Sequence, residues 1–495
     1  MSFFSIPVMA LICISVPLYF LLPRDYRWCS LLFCSIGVII AANPINSAIF
    51  VCVSVAVVYI SAVLVEKGGK IQSNLFFALG VVFCLTSVGL LKTFAWTGIV
   101  GNYIIAPIGV SYYMFSVLGY LIDVKRGICA AEKNPFKFFL FATFFPCLLS
   151  GPIIRYSNVK AGLFEGHSFD LRRIVFGAER MIWGLFKKLV ISDRMAVIVN
   201  NVFVDYSRLS GAYILFGILL FPIQLYADFS GCIDIIMGIA EIFGVILPEN
   251  FELPFLSRSV AEFWRKWHIT MGQWLRDYVF YTLLRSSLFK AINKNLSKKM
   301  DRKRSMKIVT WIALFITWVC IGTWHGGVAS SIFGVGIFFG VVIILGEAFD
   351  PVMSTIKEKL GIKQESIGFR LFQYIRTFLL FAIGNSFFRQ QAGLKEGFDM
   401  WIKVLINNGS GWYGQGSFIA LGLDTPEWIA LMVSVFVMVI AGLQRVKLDH
   451  NLRVAISDRN PVISYVVWLC LIVMIILFGW YGEGYSTQTF IYQQF

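Results

Sequence analysis

The sequence predicts an all-α integral membrane protein with about ten to twelve transmembrane helices, joined by re-entrant and interfacial helices. Three observations carry that reading. The 495 residues are 58% hydrophobic and 14% charged, whereas soluble domains are about a quarter charged and less than half apolar. Several uncharged stretches reach the roughly 20 residues a bilayer crossing needs, because backbone groups in hydrocarbon must bond within their own helix. Lysines and arginines collect between those stretches, as orientation signals do. The net charge of +15 therefore needs no nucleic acid as partner, and membrane lipids are the expected surroundings.

The first apolar stretch, Phe3 to Leu22, has no basic residue ahead of it and no small-residue cleavage site after it. It reads as a retained helix, not a signal peptide. The basic loops Arg24–Arg27, Lys67–Lys70 and Lys125–Lys137 agree with one another if they face the cytoplasm and the N-terminus lies outside. Spans then fall near residues 3–22, 28–43, 46–65, 73–97 and 103–122. Phe138 to Ile154 is apolar but broken by Pro146, Gly151 and Pro152, with Lys137 before it and Arg155 and Lys160 after it. Both ends favour the cytoplasm, so a re-entrant segment lining a cavity is predicted.

Residues 174–207 interleave Glu179, Arg180, Lys187, Lys188, Asp193 and Arg194 with apolar positions, an amphipathic pattern that leaves their placement open. Residues 211–247 suggest a hairpin of two spans with Asp228 and Asp234 near its core. Carboxylates at such depth flag function, the blander role being interfacial capping. Residues 254–284 mix Glu262, Arg265, Lys266, Arg276 and Asp277 with tryptophans, tyrosines and phenylalanines, which predicts an interfacial helix on the cytoplasmic face. Arg285 to Lys307 holds nine basic residues against one acid, Asp301, the strongest inside marker; attraction of anionic lipid or coenzyme A is its less specific second role. Ile308 to Gly346 contains no Asp, Glu, Lys or Arg and predicts two spans joined at a Gly-rich turn that holds His325. Further spans are expected near 371–388, 426–444 and 461–481, with a cytoplasmic loop around Arg445–Arg459.

No repeat relates the halves, and the chain reads as one polytopic domain. Within it 1–137 are N-terminal helices, 138–300 a re-entrant, amphipathic and motif-bearing core, 301–390 the histidine hairpin and the following helix, and 391–495 the C-terminal helices.

The ten cysteines are scattered without a C-x-x-C pair and read as small core hydrophobes; no metal site is expected. Four histidines are present. His167 and His450 stand in polar loop sequence and read as solvated. His268, in Glu262-Phe-Trp-Arg-Lys-Trp-His268, would share a helix face with Trp264 four residues earlier, the blander role being an interfacial anchor. His325, in Gly322-Thr-Trp-His325-Gly-Gly, has small neighbours that admit backbone or substrate, or that merely pack helices. A histidine withdrawn from water tends to stay neutral and can accept a proton, which suits a general base. No nucleophile elbow, P-loop, paired-histidine zinc signature or dinucleotide fingerprint accompanies it.

A series of blocks resembles a known family. It comprises Tyr226-Ala-Asp228-Phe-Ser-Gly231-Cys-Ile-Asp234, Leu247-Pro-Glu-Asn250-Phe-Glu-Leu-Pro254, Glu262-Phe-Trp264-Arg265-Lys-Trp267-His268, Trp274-Leu-Arg276-Asp277-Tyr278 and Trp324-His325-Gly326. Supporting blocks are Pro107-Ile-Gly109-Val-Ser111-Tyr-Tyr, Ser150-Gly151-Pro152-Ile-Ile-Arg155, Phe387-Phe-Arg389 and the closing residues 490–495. Through them the chain resembles the membrane-bound O-acyltransferase family, in its bacterial branch of alginate O-acetylation membrane subunits. After Tyr281 it departs, reading Thr-Leu-Leu-Arg-Ser where relatives show Ile-Pro-Leu-Gly-Gly, which bears on the substrate branch.

The resemblance implies helices tilted around a tunnel in which a cytoplasmic acyl thioester meets an acceptor presented from the other face. It implies His325 and His268 as catalytic residues, with Trp324, Asp228, Asn250, Trp264, Arg265, Trp267 and Arg155 around the substrates. The donor expected is acetyl-CoA or an acyl carrier protein thioester, with no bound cofactor. The expected acceptor is an exported polysaccharide, alginate-like or another exopolysaccharide, reached with a periplasmic or extracellular acetyltransferase partner. D-alanyl transfer to teichoic acid and peptidoglycan O-acetylation are the alternatives within the family. A transporter with His325 and Asp228 along its path, or a scaffold with packed histidines, are the non-enzymatic ones.

Overall fold

The computed structural model describes residues 6–97, 109–325, 328–390, 392–406, 421–448 and 452–481. Expectations placed on 3–5, 98–108, Gly326, His450 and 490–495 lie outside the described residues. Eight of the described helices are long and apolar enough to cross a bilayer, and two shorter apolar ones, Pro7–Leu21 and Val462–Phe478, accompany them. Among the described residues every regular element is helical apart from one antiparallel bridge, Phe251 to Trp267.

The N-terminal helices α1 (Ile6–Leu21), α2 (Arg27–Ala42), α3 (Ile45–Lys67) and α4 (Lys70–Thr97) follow the apolar runs. Helix α5 (Val110–Lys125), which packs against α3, α4 and the short helices that follow, is buried along nearly its whole length. The stretch 138–154 divides at Phe144 into α6 (Pro135–Thr143) and α7 (Phe145–Ser150). At 1.5 Å per residue neither piece can cross a bilayer, in keeping with the re-entrant reading. After it Ile153 N–H donates to Thr270 Oγ1 at 3.1 Å, which ties this break to the motif-bearing core. After α8 (Tyr156–Phe164), His167 is not solvated. Its amide donates to the Tyr19 hydroxyl at 3.0 Å, and its carbonyl accepts from Arg27 at 2.5 Å, so it clasps the N-terminal hairpin.

Residues 171–204 form one helical run: α9 (Leu171–Leu185), a π-helical segment (Phe186–Ser192) and α10 (Asp193–Val204). The run packs against α11 (Gly211–Ile242), a single helix of 32 residues, so the two-span hairpin expected over 211–247 does not exist. Two things make one long helix with buried carboxylates affordable. A Cβ on Gly184 would lie 2.5 Å from Gly231 O, and one on Gly177 would lie 2.6 Å from Gly238 O. Because the sequence rises on one helix as it falls on the other, the helices are antiparallel, and their backbones touch where only hydrogen fits. Ion pairs then cross this seam: Lys188 reaches Asp228 and Asp193, both at 2.7 Å, Lys187 reaches Asp234 at 2.6 Å, and Arg180 reaches Asp234 at 2.9 Å.

The 254–284 region is not an interfacial helix. It folds into α12 (Val260–Lys266), α13 (Ile269–Leu275), a π-helical segment (Arg276–Phe280) and α14 (Tyr281–Arg285), with Phe263, Trp267, Trp274 and Tyr278 buried. These rings pack on one another and on Phe381, so their apolar area is removed from the surface that an interfacial helix would present. The sequence departure after Tyr281 has a local consequence, since the Thr282 hydroxyl accepts from Arg126 at 2.9 Å. The basic stretch that follows includes a short amphipathic helix, α15 (Ser287–Leu296), before α16 (Arg302–Trp324).

The hairpin over 308–346 is present. After α16 the chain resumes as α17 (Ala329–Ser331), a π-helical segment (Ile332–Phe338) and α18 (Phe339–Lys359). A Cβ on Gly322 would lie 2.9 Å from Gly336 Cα, so the two arms meet backbone to backbone. Helices α19 (Ile367–Arg389), α20 (Leu394–Ile406), α21 (Thr425–Leu448), α22 (Leu452–Arg459) and α23 (Pro461–Phe478) complete the fold.

Candidate functional site

His325 caps the C-terminus of α16, where Gly326 and Gly327 follow in the sequence. Its amide still donates to Ile321 O at 3.1 Å, so the imidazole is held on the last turn of a rigid helix. The side chain is only 3% exposed. Its ring meets Trp324 at 4.6 Å between centroids and Phe388 of α19 at 5.4 Å, both edge to face.

His268 reaches the same place from the opposite side. It does not lie on a helix with Trp264, as the four-residue spacing suggested, because α12 stops at Lys266, Trp267 is extended, and His268 takes a left-handed conformation with φ 47°. A β-carbon makes that region costly, about 1–3 kcal/mol, so the surroundings must enforce it. Asn250 supplies most of the constraint. Its Oδ1 accepts from Thr270 N at 3.0 Å and from Thr270 Oγ1 at 2.7 Å, and its carbonyl accepts from Ile269 N at 3.1 Å. Glu252 N donates to Lys266 O at 3.0 Å on the other side of the bridge. The chain from Asn250 to Glu252 thus grips both flanks of His268.

The imidazole of His268 is 1% exposed. It packs edge-on against Phe229 of α11 at 4.8 Å and stacks on Tyr112 of α5 at 6.4 Å. His268 lies outside the membrane-spanning helices, and burial pushes its pKa down to about 3, so its ring is neutral throughout the physiological range. Trp324 joins the two histidines, its indole lying 4.6 Å from His325 and 6.1 Å from His268. Tyr112 and Phe115 wall the same indole from α5 at 6.1 and 6.0 Å.

The remaining residues marked in the sequence are spread around and beyond this pair. Trp264 and Trp267 build the aromatic wall behind His268, with Trp264 on Trp318 at 5.1 Å and on Phe339 at 5.0 Å. Asn250 is fully buried, and its Nδ2 has no acceptor among the described residues, so that amide group is an unused donor. Asp228 lies in the buried ion cluster with Lys188 and Asp193, next in sequence to the Phe229 that touches His268. Arg155 is farther out. It pairs with Asp277 at 2.5 Å and lies over the Tyr278 ring at 5.1 Å. Burial opposes ionisation of Asp277, but hydrogen bonds and charge from Arg276 and Arg155 win and hold its carboxyl below the usual range. Arg265 is exposed and makes no described contact with the two histidine rings.

Phe229 and Phe388 complete the rings around the pair, and the sequence marked them only as members of longer blocks. Each stands immediately beside a polar motif residue, Asp228 and Arg389 respectively, the one signal that could have singled them out.

Residues 131–297 match the model of the membrane-bound O-acyltransferase family, a stretch that contains Arg155, Asp228, Asn250 and His268. The chain is 33% identical to a probable alginate O-acetylase, AlgI, of Pseudomonas syringae pv. tomato over 62% of this chain and 52% of that one. The identity to a probable alginate O-acetylase of Azotobacter vinelandii is 30%, over 76% and 72% of the two chains. A peptidoglycan O-acetyltransferase of Helicobacter pylori is 26% identical over 50% and 48%. The chain spans about half the length of the first of these relatives. On the identity and coverage shared with the Azotobacter protein, the chain belongs to the membrane-bound O-acyltransferase family.

Proposed function

We propose that the protein is an acyltransferase that takes an acetyl group from a cytoplasmic thioester and passes it toward hydroxyls of an exported polysaccharide. The observation that carries this reading is the pair His325 and His268, both withdrawn from water and joined through one indole in the middle of a helical membrane protein. Acyl transfer asks for little more than a positioned base, a donor for the developing oxyanion and exclusion of water.

In this reading His325 takes the proton of the acceptor hydroxyl as its oxygen attacks the thioester carbonyl. The C–S bond breaks, an ester forms, and the thiolate leaves with the proton. His268, neutral and held by Asn250, positions the donor, and the free amide of Asn250 is a donor for the carbonyl oxygen. Acetyl-CoA is the donor proposed, with an acyl carrier protein thioester as the other thioester of that class. The acceptor proposed is an alginate-like exopolysaccharide, since relatives at 30% identity and above carry that name. A periplasmic transferase would complete delivery, with the protein in a bacterial inner membrane and its N-terminus outside.

The test uses the protein in proteoliposomes loaded with acetyl-CoA labelled in the acetyl group, with an alginate-type polysaccharide supplied outside as the hydroxyl acceptor. The reading expects free thiol inside and label in alkali-labile ester linkage. Label that crosses as intact acetyl-CoA, or no loss of thioester, would place the protein with transporters instead.

A further inference from the structure

A cavity of about 520 Å³ that neither histidine lines opens between α9, α11, α21 and α23, within the ~300–1,000 Å³ range of small-molecule sites. The acyl-transfer reading makes no use of it. Its body is apolar, formed by the second half of α21 from Val437 to Leu443, by α23 from Val466 to Met474, and by Leu253 to Leu256. One end is charged, where Arg180, Lys187, Arg445 and Arg453 meet Asp234 and Glu249. Trp183, Tyr226 and Trp468 also line it, the ring types favoured between hydrocarbon and water.

Three of the four cations that line it are paired. Arg180 is satisfied by Asp234 at 2.9 Å and Glu249 at 2.8 Å, and Lys187 by Asp234 at 2.6 Å. Arg453 is bidentate to Glu241 at 2.9 and 3.0 Å and also faces Glu179. Arg445 lines the cavity, is exposed, and has no carboxylate among the described residues. It stands in the last turns of α21, at the start of the basic loop that the charge count puts on the cytoplasmic side. The cavity therefore joins an apolar shaft to a guanidinium with no carboxylate partner among the described residues, beside a loop that the charge count assigns to the inner leaflet.

We infer that this cavity binds an anionic phospholipid of the cytoplasmic leaflet, its phosphate on Arg445 and one acyl chain between α21 and α23. A guanidinium matches a phosphate in charge and in planar donor geometry, and the shaft removes the chain from neighbouring lipid without exposing backbone. The site is distinct from the histidine pair, so it stands or falls independently of the acyl-transfer reading.

Native mass spectrometry of the full chain in detergent, titrated with phosphatidylglycerol, phosphatidylcholine or inorganic phosphate, tests this. One tightly held phosphatidylglycerol is expected, retained through delipidation and not displaced by inorganic phosphate, with phosphatidylcholine bound more weakly. Arg445→Gln should weaken phosphatidylglycerol by ~10-fold or more, the equivalent of one charge-assisted hydrogen bond, and leave phosphatidylcholine unchanged. Ala441→Trp, which fills the shaft, should abolish both. Thermal unfolding in lipid-free detergent checks that the variants are folded, and Arg445→Gln, at an exposed position, suffices alone if Ala441→Trp is not. Equal binding of the two lipids, unchanged binding in Arg445→Gln, competition by inorganic phosphate, or no retained lipid would each overturn the inference.

Discussion

Asn250→Ala removes the group that holds His268 in its left-handed conformation. Two hydrogen bonds disappear, to Thr270 N at 3.0 Å and Thr270 Oγ1 at 2.7 Å. Each contributes roughly 0.5–1.5 kcal/mol net, and a buried donor left without a partner costs about 1–3 kcal/mol. Asn250 is fully buried, so water is poorly placed to replace the lost acceptor. A destabilisation of about 2–4 kcal/mol is expected. Relaxation of the backbone at φ 47° should accompany it, since the strain is no longer opposed. Thr270→Val removes the hydroxyl bond to Asn250 and also the acceptor for Ile153 N–H, so it should cost about 1–3 kcal/mol, while the double variant should show a coupling of ~0.5–1.5 kcal/mol. Reversible unfolding in mixed micelles, followed by far-ultraviolet circular dichroism, reads the stabilities. A steady-state assay with acetyl-CoA should show the donor KM raised more than kcat is lowered. An Asn250→Ala protein within about 0.5 kcal/mol of wild type, with an unchanged donor KM, would refute the clamp.

Three further outcomes follow from the packing and charges. Asp228→Ala leaves Lys188 paired with Asp193 as a balanced buried ion pair, so it should cost about 1–3 kcal/mol, the loss of one charge-assisted hydrogen bond, and yield and unfolding midpoint in detergent measure it. Gly231→Ala places a Cβ 2.8 Å from Gly184 O and should cost about 1–3 kcal/mol by forcing α9 from α11, again read from the unfolding midpoint. Asp277, whose folded pKa lies below its ordinary value, contributes stability that is complete above the unfolded carboxyl pKa of about 4 and is lost as pH falls through the lower folded value. Asp277→Asn should therefore lower the midpoint at neutral pH and converge on wild type in acid; a difference that grows in acid would contradict the Arg155 clasp.

The sequence disclosed whatever depends on apolar length alone. The long spans, the hairpin over 308–346 and the break inside 138–154 are visible because hydrocarbon thickness and proline act locally. The role of Asp228 and Asp234 is not local. They stood near the core of the two-span hairpin that 211–247 suggested, and the cations that offset them, Arg180, Lys187 and Lys188, come from a stretch whose own placement was open. A signal was nonetheless present, in Gly177 and Gly184 spaced seven apart on one segment and Gly231 and Gly238 spaced seven apart on the other. The residues around His268 misled for a related reason. Mixed tryptophans and charges look interfacial when each ring is taken singly, but Trp267 and Trp274 face inward because the chain turns at His268, and that turn is made by Asn250 far back in the sequence. The histidine pair itself was legible as two separate motifs, whereas their meeting across Trp324 is a property of the fold.

The most direct test of the account is the acetyl-transfer rate of the purified His325→Ala protein with labelled acetyl-CoA, set beside its folding and its donor binding. Loss of ~10²-fold or more in kcat, the contribution of a general base, with donor binding retained, is the result predicted. Transfer at the wild-type rate would show that His325 is only a packed helix cap.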